Sequence, residues 1–256
     1  MTSTDDDLDE EQRKQEVQYE FPYHYIPTLK DGQFSQTRHW SWGYRYLGGF
    51  RVVLDRLTDL EFDSLVDIGC GDGRFLRELD SEYPDVETFG VDYSERAIDF
   101  ARAMNPELTY ECRDIVEDGL ERTYDVATLI EVLEHIPPQE LPEFVEATVD
   151  VVADDGTVVL TVPHENKVPR DKHYQHFDRE QLTDILSDHF ERLEFVHFDN
   201  VRSKPLTALQ RLLGGRGAHY LITNSTIQSL FWRLYTTRYL YTSEERCGRI
   251  AAVCHK

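Results

Sequence analysis

The run "SLVDIGCGDGRFLREL", residues 64–79, constrains this chain more than any other stretch. A short apolar segment stops at Asp67, and glycines follow at 69, 71 and 73. A strand that ends in a glycine-paved turn and passes into a helix is the ligand-binding corner of an open parallel sheet. Glycine there lets the backbone take unusual dihedrals and approach a ligand closely. Two common ligands are excluded by the residues themselves. The dinucleotide pattern G-x-G-x-x-G needs a third glycine at 74, where Arg74 stands. A phosphate loop needs a lysine that the turn lacks. With Asp67 before the turn and Asp72 inside it, pyrophosphate is repelled and an ammonium group attracted. The ligand is therefore expected to be cationic or zwitterionic.

Strand-like and helix-like segments alternate from this point. "ETFGVD", "LTYECRD", "YDVATLIEVL", "GTVVLTVP", "LEFVHFDNV" and "GRIAAVCHK" read as six further strands. Helices are expected at "DGRFLREL", at "SERAIDFARAM" with Ser94 as N-cap, at "PPQELPEFVEATVDVV" opened by its prolines, and at "DREQLTDILSDHF" capped by Asp178. Ala97, Phe100, Ala101 and Met104 mark the expected buried face of the second of these. Such alternation argues an α/β fold, a parallel sheet with helices on both faces. Residues 1–18 read as a disordered acidic tail and 19–60 as an aromatic N-terminal segment, helical from Thr37 to Leu57. Residues 61–256 read as the core, with a helical insertion at 203–240. In that insertion Ile227, Leu230, Phe231, Leu234 and Tyr235 form an apolar stripe.

The other strand ends sharpen the ligand. "FGVD" ends at Asp92, about twenty residues beyond Gly73, where a carboxylate can accept both hydroxyls of a ribose. Tyr93 can lie against a purine, and Asp114 of "CRDI" can accept its amino group. A ribose, an adenine and an amino-acid ammonium together describe S-adenosyl-L-methionine.

On these residues the chain resembles the class I S-adenosylmethionine-dependent methyltransferases, over about residues 38–201 and again at 248–256. "VDIGCGDG" is similar to the family's first motif, "GVDYS" to its acidic second-strand end, "CRDI" to its adenine contact, and "EVLEHIPP" to the motif after strand four. The resemblance implies a Rossmann-like seven-stranded methyltransferase sheet, six strands parallel and the seventh antiparallel beside the sixth. It also implies that Asp67, Gly69 and Gly71 line the methionine moiety, Asp92 holds the ribose, and Asp114 and Ile115 hold the adenine. The helix from "FSQTRHWSWGYRY" would cover the cofactor, with Arg38 the candidate for its carboxylate.

A sulfonium carries its own activation, so the protein mostly positions the acceptor. An oxygen acceptor also gains from a general base or a metal Lewis acid. "EVLEHIPP" supplies Glu131, Glu134 and His135; "TVPHENKVPRDKHYQHF" supplies His164, His173 and His176. Glu131, His135 and His176 are the candidate catalytic groups. Glu131, Glu134, His135 and His176 are also candidate ligands of a divalent metal, a set similar to that of metal-dependent methyltransferases of small-RNA 3′ ends. E-x-x-E-H-x-P also occurs widely in class I enzymes, quinone O-methyltransferases included, where it can simply order the loop and shape the pocket. "HYQHFDREQL" resembles a segment of methyltransferases from polysaccharide and glycan gene clusters, which implies a sugar or a lipid-carrier-linked glycan. The expected reaction is methyl transfer to an oxygen of a sugar, glycan or similar small molecule. The alternatives are a metal-assisted RNA 2′-O-methyltransferase and a quinone or other aromatic O-methyltransferase.

Charge bears on the partner. Asp and Glu number 49 against 27 Lys and Arg, a net −22, which repels nucleic acid. The excess fits a salty cytoplasm, where screening quiets self-repulsion, and a halophilic archaeal source is the expectation. Four scattered cysteines fit reduced thiols. The leading "DDDLDEEQRK" is the opposite of a secretory signal, and no apolar run approaches the roughly 20 residues of a membrane span. A cytoplasmic protein is expected. One window departs from the acidic trend: residues 201–243 carry Arg202, Lys204, Arg211, Arg216, Arg233 and Arg238 and no Asp or Glu. That insertion reads as a lid, or as a peripheral contact with an anionic membrane at its inner face. Asn224-Ser225-Thr226 matches a glycosylation sequon but reads as a helix cap.

Overall fold

The structure is a computed structural model that describes residues 28–30, 33–35, 40–168, 172–212 and 225–256. The acidic tail, Arg38, Arg216 and Asn224 lie outside the described residues. Strands β1 (Thr28–Lys30) and β2 (Gln33–Ser35) form an antiparallel pair. Helix α1 (Trp40–Leu57) leads to β3 (Ser64–Ile68), α2 (Arg74–Glu82), β4 (Glu87–Asp92), α3 (Glu95–Met104) and β5 (Thr109–Cys112). Then follow β6 (Tyr124–Ile130), α4 (Leu141–Asp150), β7 (Val152–Pro163), α5 (Arg179–Leu186) and β8 (Arg192–Asn200). Helices α6 (Lys204–Leu212) and α7 (Ser225–Arg238) precede β9 (Cys247–His255).

The seven strands β3–β9 form one sheet in the order β5-β4-β3-β6-β7-β9-β8. Neighbours from β5 to β7 run parallel, and β9 lies antiparallel between β7 and β8. This is the α/β, Rossmann-like sheet that the sequence implies. The chain leaves β3 toward β4 and returns on its other side as β6, so the carboxyl ends of β3 and β6 flank the topological switch point where such sheets bind ligands. Because β9 is antiparallel, its first residues lie at that same end: Arg249 pairs with Pro163 of β7 and Phe198 of β8.

Successive strand residues point to opposite faces, and the core divides accordingly. Leu65, Val126, Val159 and Val253 face α1, α2 and α3 through Val53, Leu57, Leu76, Leu79 and Ile98. Val66, Ala127, Val158 and Ala252 face α4 and α5 through Leu141, Val145, Leu182 and Leu186.

Local chemistry explains the helix starts. Ser94 accepts a bond from the Ala97 amide, and Asp178 forms a capping box with Gln181. Helix α4 begins at Leu141, with Pro142 in its first turn; Pro137 and Pro138 belong to the preceding turn. The buried face of α3 is Ala97, Ile98 and Ala101, while Met104 is exposed, because the helix packs Ile98 inward against the sheet. The stripe on α7 is likewise split. Phe231 and Tyr235 are buried against Tyr44 of α1, with ring centroids 5.0 and 4.6 Å away. Ile227, Leu230 and Leu234 face outward. That packing accounts for a glycine inside α1: a Cβ at Gly48 would lie 2.9 Å from the Tyr235 ring. No described helix is long and apolar enough to cross a membrane. Cys70, Cys247 and Cys254 are buried, Cys112 is exposed, and all four are free.

Candidate functional site

The turn after β3 is built by backbone. Gly69, Gly71 and Gly73 have φ of 71, 55 and 71°. The amides of Gly69 and Cys70 donate to the Val91 carbonyl at 2.8 and 3.0 Å, folding the turn over the end of β4. Gly69 is required twice over, by its φ and because a Cβ would come 2.7 Å from Val132 in the loop after β6. Asp92 braces the turn: its carboxylate accepts from the Gly71 and Ser94 amides, each at 2.9 Å. Asp114 accepts from the Val116 amide at 2.9 Å, and Ile115 is buried beside it. Tyr93 is partly exposed. Asp67 is buried in β3 and accepts from Thr128 Oγ1 at 2.6 Å, across the β3–β6 pairing. Burial pushes its carboxyl up to about 7 against that hydrogen bond, and nearby Asp92 adds to the rise.

The opposite wall is built by side chains. Glu131 follows β6 with φ 59°, a left-handed conformation rare for a residue with a side chain. It is held there on both sides. Its amide donates to the Thr161 carbonyl at 2.9 Å, Thr161 Oγ1 donates to its carboxylate at 3.3 Å, and Arg249 Nε ion-pairs with it at 3.2 Å. Arg249 also donates to the Arg45 carbonyl of α1 at 2.9 Å. Behind this pair, buried Asp199 ion-pairs with Arg45 at 2.6 Å and Lys167 at 3.0 Å. Burial would raise its carboxyl, but Lys167 and Arg45 hold it below its usual value.

Leu133–His135 is a single 3₁₀ turn. Glu134 is 0% exposed, and neither of its carboxylate oxygens has a hydrogen-bond partner. Burial and then the neighbouring Glu131 raise its carboxyl well above the usual range. His135 Nδ1 lies 2.9 Å from the Lys172 carbonyl, and His176 Nδ1 lies 3.0 Å from the Lys167 carbonyl. His173 Nδ1 lies 2.9 Å from His176 Nε2. Burial, then Lys172, pushes His135 down to about 3, and burial lowers His176, so both rings are neutral at pH 7. Carbonyls only accept, so Nδ1 of His135 and of His176 carries a proton. Neutral His176 then accepts at Nε2, which makes His173 Nδ1 the donor. His135 therefore carries its lone pair on Nε2, as does His173 in its neutral form. Glu134, His135 and His173 each offer one ligand atom, and these atoms lie within 4.8 Å of one another.

A cavity of about 700 Å³ joins the two walls. It is lined by Asp67, Gly69, Gly71, Asp92, Tyr93, Asp114 and Ile115, and also by Glu131, Glu134, His135, His173, His176 and Arg249. Tyr46 and Phe50 of α1 form part of its wall. The geometry regroups the four candidate metal ligands. Glu134 and His135 meet His173, Glu131 is engaged by Thr161 and Arg249, and both nitrogens of His176 are taken by His173 and Lys167. His164 lies behind the loop, its Nδ1 accepting from the Asn166 amide at 2.9 Å. Arg249, Lys167, Thr161 and Asp199 are site residues that the sequence reading missed. The only available signal was a buried-strand arginine in "GRIAAVCHK".

The chain matches the family described as methyltransferase domain over residues 41–217. Its fold is similar to a SAM-dependent methyltransferase from Archaeoglobus fulgidus, with TM-score 0.58 and 21% identity, covering 83% of this chain and 94% of that one. It is also similar to the N-methyltransferase NodS from Bradyrhizobium japonicum, solved with S-adenosyl-L-homocysteine, with TM-score 0.55 and 15% identity over 83% and 87% of the two chains. Among curated proteins, a carboxy-S-adenosyl-L-methionine synthase of Campylobacter hominis is 30% identical over 100 residues, 38% of this chain and 42% of that protein. The chain spans less than half the length of the curated relatives it matches.

Proposed function

Because the chain belongs to the methyltransferase-domain family, we propose that it transfers a methyl group from S-adenosyl-L-methionine to an oxygen of a sugar, glycan or similar small polar molecule. The observation that carries this reading is the single cavity with an acid-lined glycine turn at one end and a Glu/His/Arg wall at the other. The turn fits that cofactor. Asp67 and Asp92 favour a cationic amino acid over pyrophosphate, and the positive-φ glycines leave backbone where side chains would fill the space. Asp67, Gly69 and Gly71 would hold the methionine part, Asp92 the ribose, and Asp114, Ile115 and Tyr93 the adenine. When bound, the cofactor supplies an electrophilic methyl on a sulfonium.

The chain's own part is positioning. Glu131, fixed by Thr161 and Arg249, faces the cavity as a carboxylate able to hydrogen-bond an acceptor hydroxyl and take its proton as the oxygen is methylated. His135, kept neutral by burial, turns its Nε2 lone pair toward the acceptor end of the cavity without competing for the hydroxyl proton. His176 positions His173. This polar wall favours a hydroxylated acceptor over an apolar quinone ring, and the net charge of −22 disfavours RNA. For a glycan linked to a lipid carrier, the exposed Leu230 and Leu234 of α7 are the proposed lipid contact. The same acidity supports a high-salt cytoplasm as the working environment.

The test is turnover with labelled S-adenosyl-L-methionine against panels of sugars, nucleosides, amines and phenols, read by the mass gain of one methyl and its position. Transfer confined to nitrogen or carbon would sink the oxygen assignment.

A further inference from the structure

We propose that Glu134, His135 and His173 form a divalent transition-metal site at the acceptor end of the cavity. Three independent features carry it. The first is proximity: one ligand atom from each residue falls within 4.8 Å of the others. The second is the state of Glu134, which is wholly buried with neither oxygen hydrogen-bonded. A buried carboxylate in that condition is paired with a cation or is protonated. The third is the support behind the ring nitrogens. Histidine ligands typically donate their second N–H to a carbonyl or another outer partner, which fixes the ring and its tautomer. His135 donates to the Lys172 carbonyl, and His173 donates to His176, itself fixed on the Lys167 carbonyl.

Two imidazoles and one carboxylate suit zinc, manganese, iron or cobalt(II) better than magnesium or calcium. Three protein ligands leave positions open for water or substrate, the pattern of a catalytic rather than a structural site. The site lines the cavity, so an ion there would face an acceptor hydroxyl and lower its pKa. That use rests on the methyl-transfer reading; binding of the ion does not.

The test uses the full chain stripped with chelator and then titrated with Mn2+ alone, followed by loss of the aqueous ion's electron paramagnetic resonance signal. One Mn2+ per chain is expected. Glu134→Gln and His173→Ala should each abolish saturable binding, and His176→Ala should weaken it roughly 10- to 100-fold through the outer shell. S-adenosyl-L-homocysteine binding by each variant, measured in parallel, reports that the fold survives. No saturable Mn2+ binding, or binding unchanged in both Glu134→Gln and His173→Ala, overturns the site. If the chain binds S-adenosyl-L-homocysteine but no Mn2+, the metal inference fails and the methyl-transfer reading stands. If it binds Mn2+ through these residues but no S-adenosyl-L-homocysteine, the outcome is reversed.

Discussion

The two ends of the cavity are built by opposite means. At the turn after β3, a few consecutive main-chain amides fold over the end of the next strand, held by the Val91 carbonyl and by the Asp92 carboxylate 21 residues from Gly71. At the other end, side chains from three distant segments converge: Glu131, Glu134 and His135 after β6, Lys167, His173 and His176 after β7, and Arg249 in β9. The first is a local conformation that a short sequence can encode. The second exists only once the sheet has closed, with β9 inserted between β7 and β8. Damage to the first should remove ligand binding, whereas damage to the second should spare binding and slow turnover.

The largest effects are expected at the turn. Gly69→Val puts a side chain at φ 71° and within 2.7 Å of Val132, so calorimetry should detect no S-adenosyl-L-homocysteine binding. Asp92→Ala removes two hydrogen bonds to a charged acceptor, each worth about 1.5–3 kcal/mol. Its dissociation constant should rise by roughly a hundredfold or more. A rise below threefold would remove Asp92 from the ribose and undo the local half of the comparison.

Arg249→Met probes the converging half. Glu131 loses its ion pair while the glycine turn is untouched. Turnover should fall roughly 10- to 100-fold through misplacement of the acceptor. S-adenosyl-L-homocysteine affinity should change less than about twofold. If both parameters fall together, the two ends are one coupled unit and the contrast fails.

What was legible in the sequence follows the same division. "SLVDIGCGDG" announces its strand and its turn, because alternation and glycine spacing are local properties, and its acids carry the expectation of a cationic ligand. Ser94 and Asp178 were readable as caps for the same reason. "EVLEHIPP" and "HYQHF" named the histidines and glutamates, but not which of them meet. That depends on the loop after β7 returning so that Tyr174 donates to the Glu134 carbonyl, a contact 40 residues apart that no periodicity encodes. Arg249 was illegible because its value comes from β9 running antiparallel, which brings the strand's first residues to the site. Met104 was misplaced because helical spacing gives a face without its exact rotation against the sheet.

Asp67 offers a smaller, pH-dependent effect. Its carboxyl titrates near 7 in the folded chain against 3.8 ordinarily. Between those values the native state holds a proton that the unfolded chain has released, so this group's contribution to stability falls as pH rises from about 4 to about 7 and is level above. Asp67→Asn should flatten that slope and raise the melting temperature of the ligand-free chain at pH 8 by a few degrees. It should also weaken S-adenosyl-L-homocysteine binding. In the parent chain that affinity should fall by up to tenfold per pH unit below about 7, as the carboxylate is neutralised. Other buried groups add slopes of their own: Glu134 is shifted in the same direction, whereas histidines lowered by burial, His135 among them, act in the opposite sense. Melting curves without ligand and calorimetry with it, both from pH 5 to 9, separate the two. A variant whose stability slope matches the parent's would remove Asp67 as its source.

The smallest expected effect lies outside both ends, on α7. The helix packs inward through Phe231 and Tyr235, which leaves Leu230 and Leu234 exposed on its outer side. Leu230 is 64% exposed, and Arg233 and Arg238 lie on exposed positions of the same helix in a chain of net charge −22. Leu230→Ser should therefore change folding stability by no more than about 0.5 kcal/mol. It should leave S-adenosyl-L-homocysteine affinity and turnover of a free sugar unchanged. If the acceptor is carried on a lipid, sedimentation with anionic phosphatidylglycerol vesicles should weaken by roughly 5- to 25-fold, since the exposed part of this leucine carries about 1–2 kcal/mol into an apolar phase. Vesicle binding that is absent in the parent chain, or indifferent to Leu230, would confine α7 to a lid that packs on α1. The acceptor would then be a free molecule, and its selection would rest wholly on the Glu/His/Arg wall of the cavity.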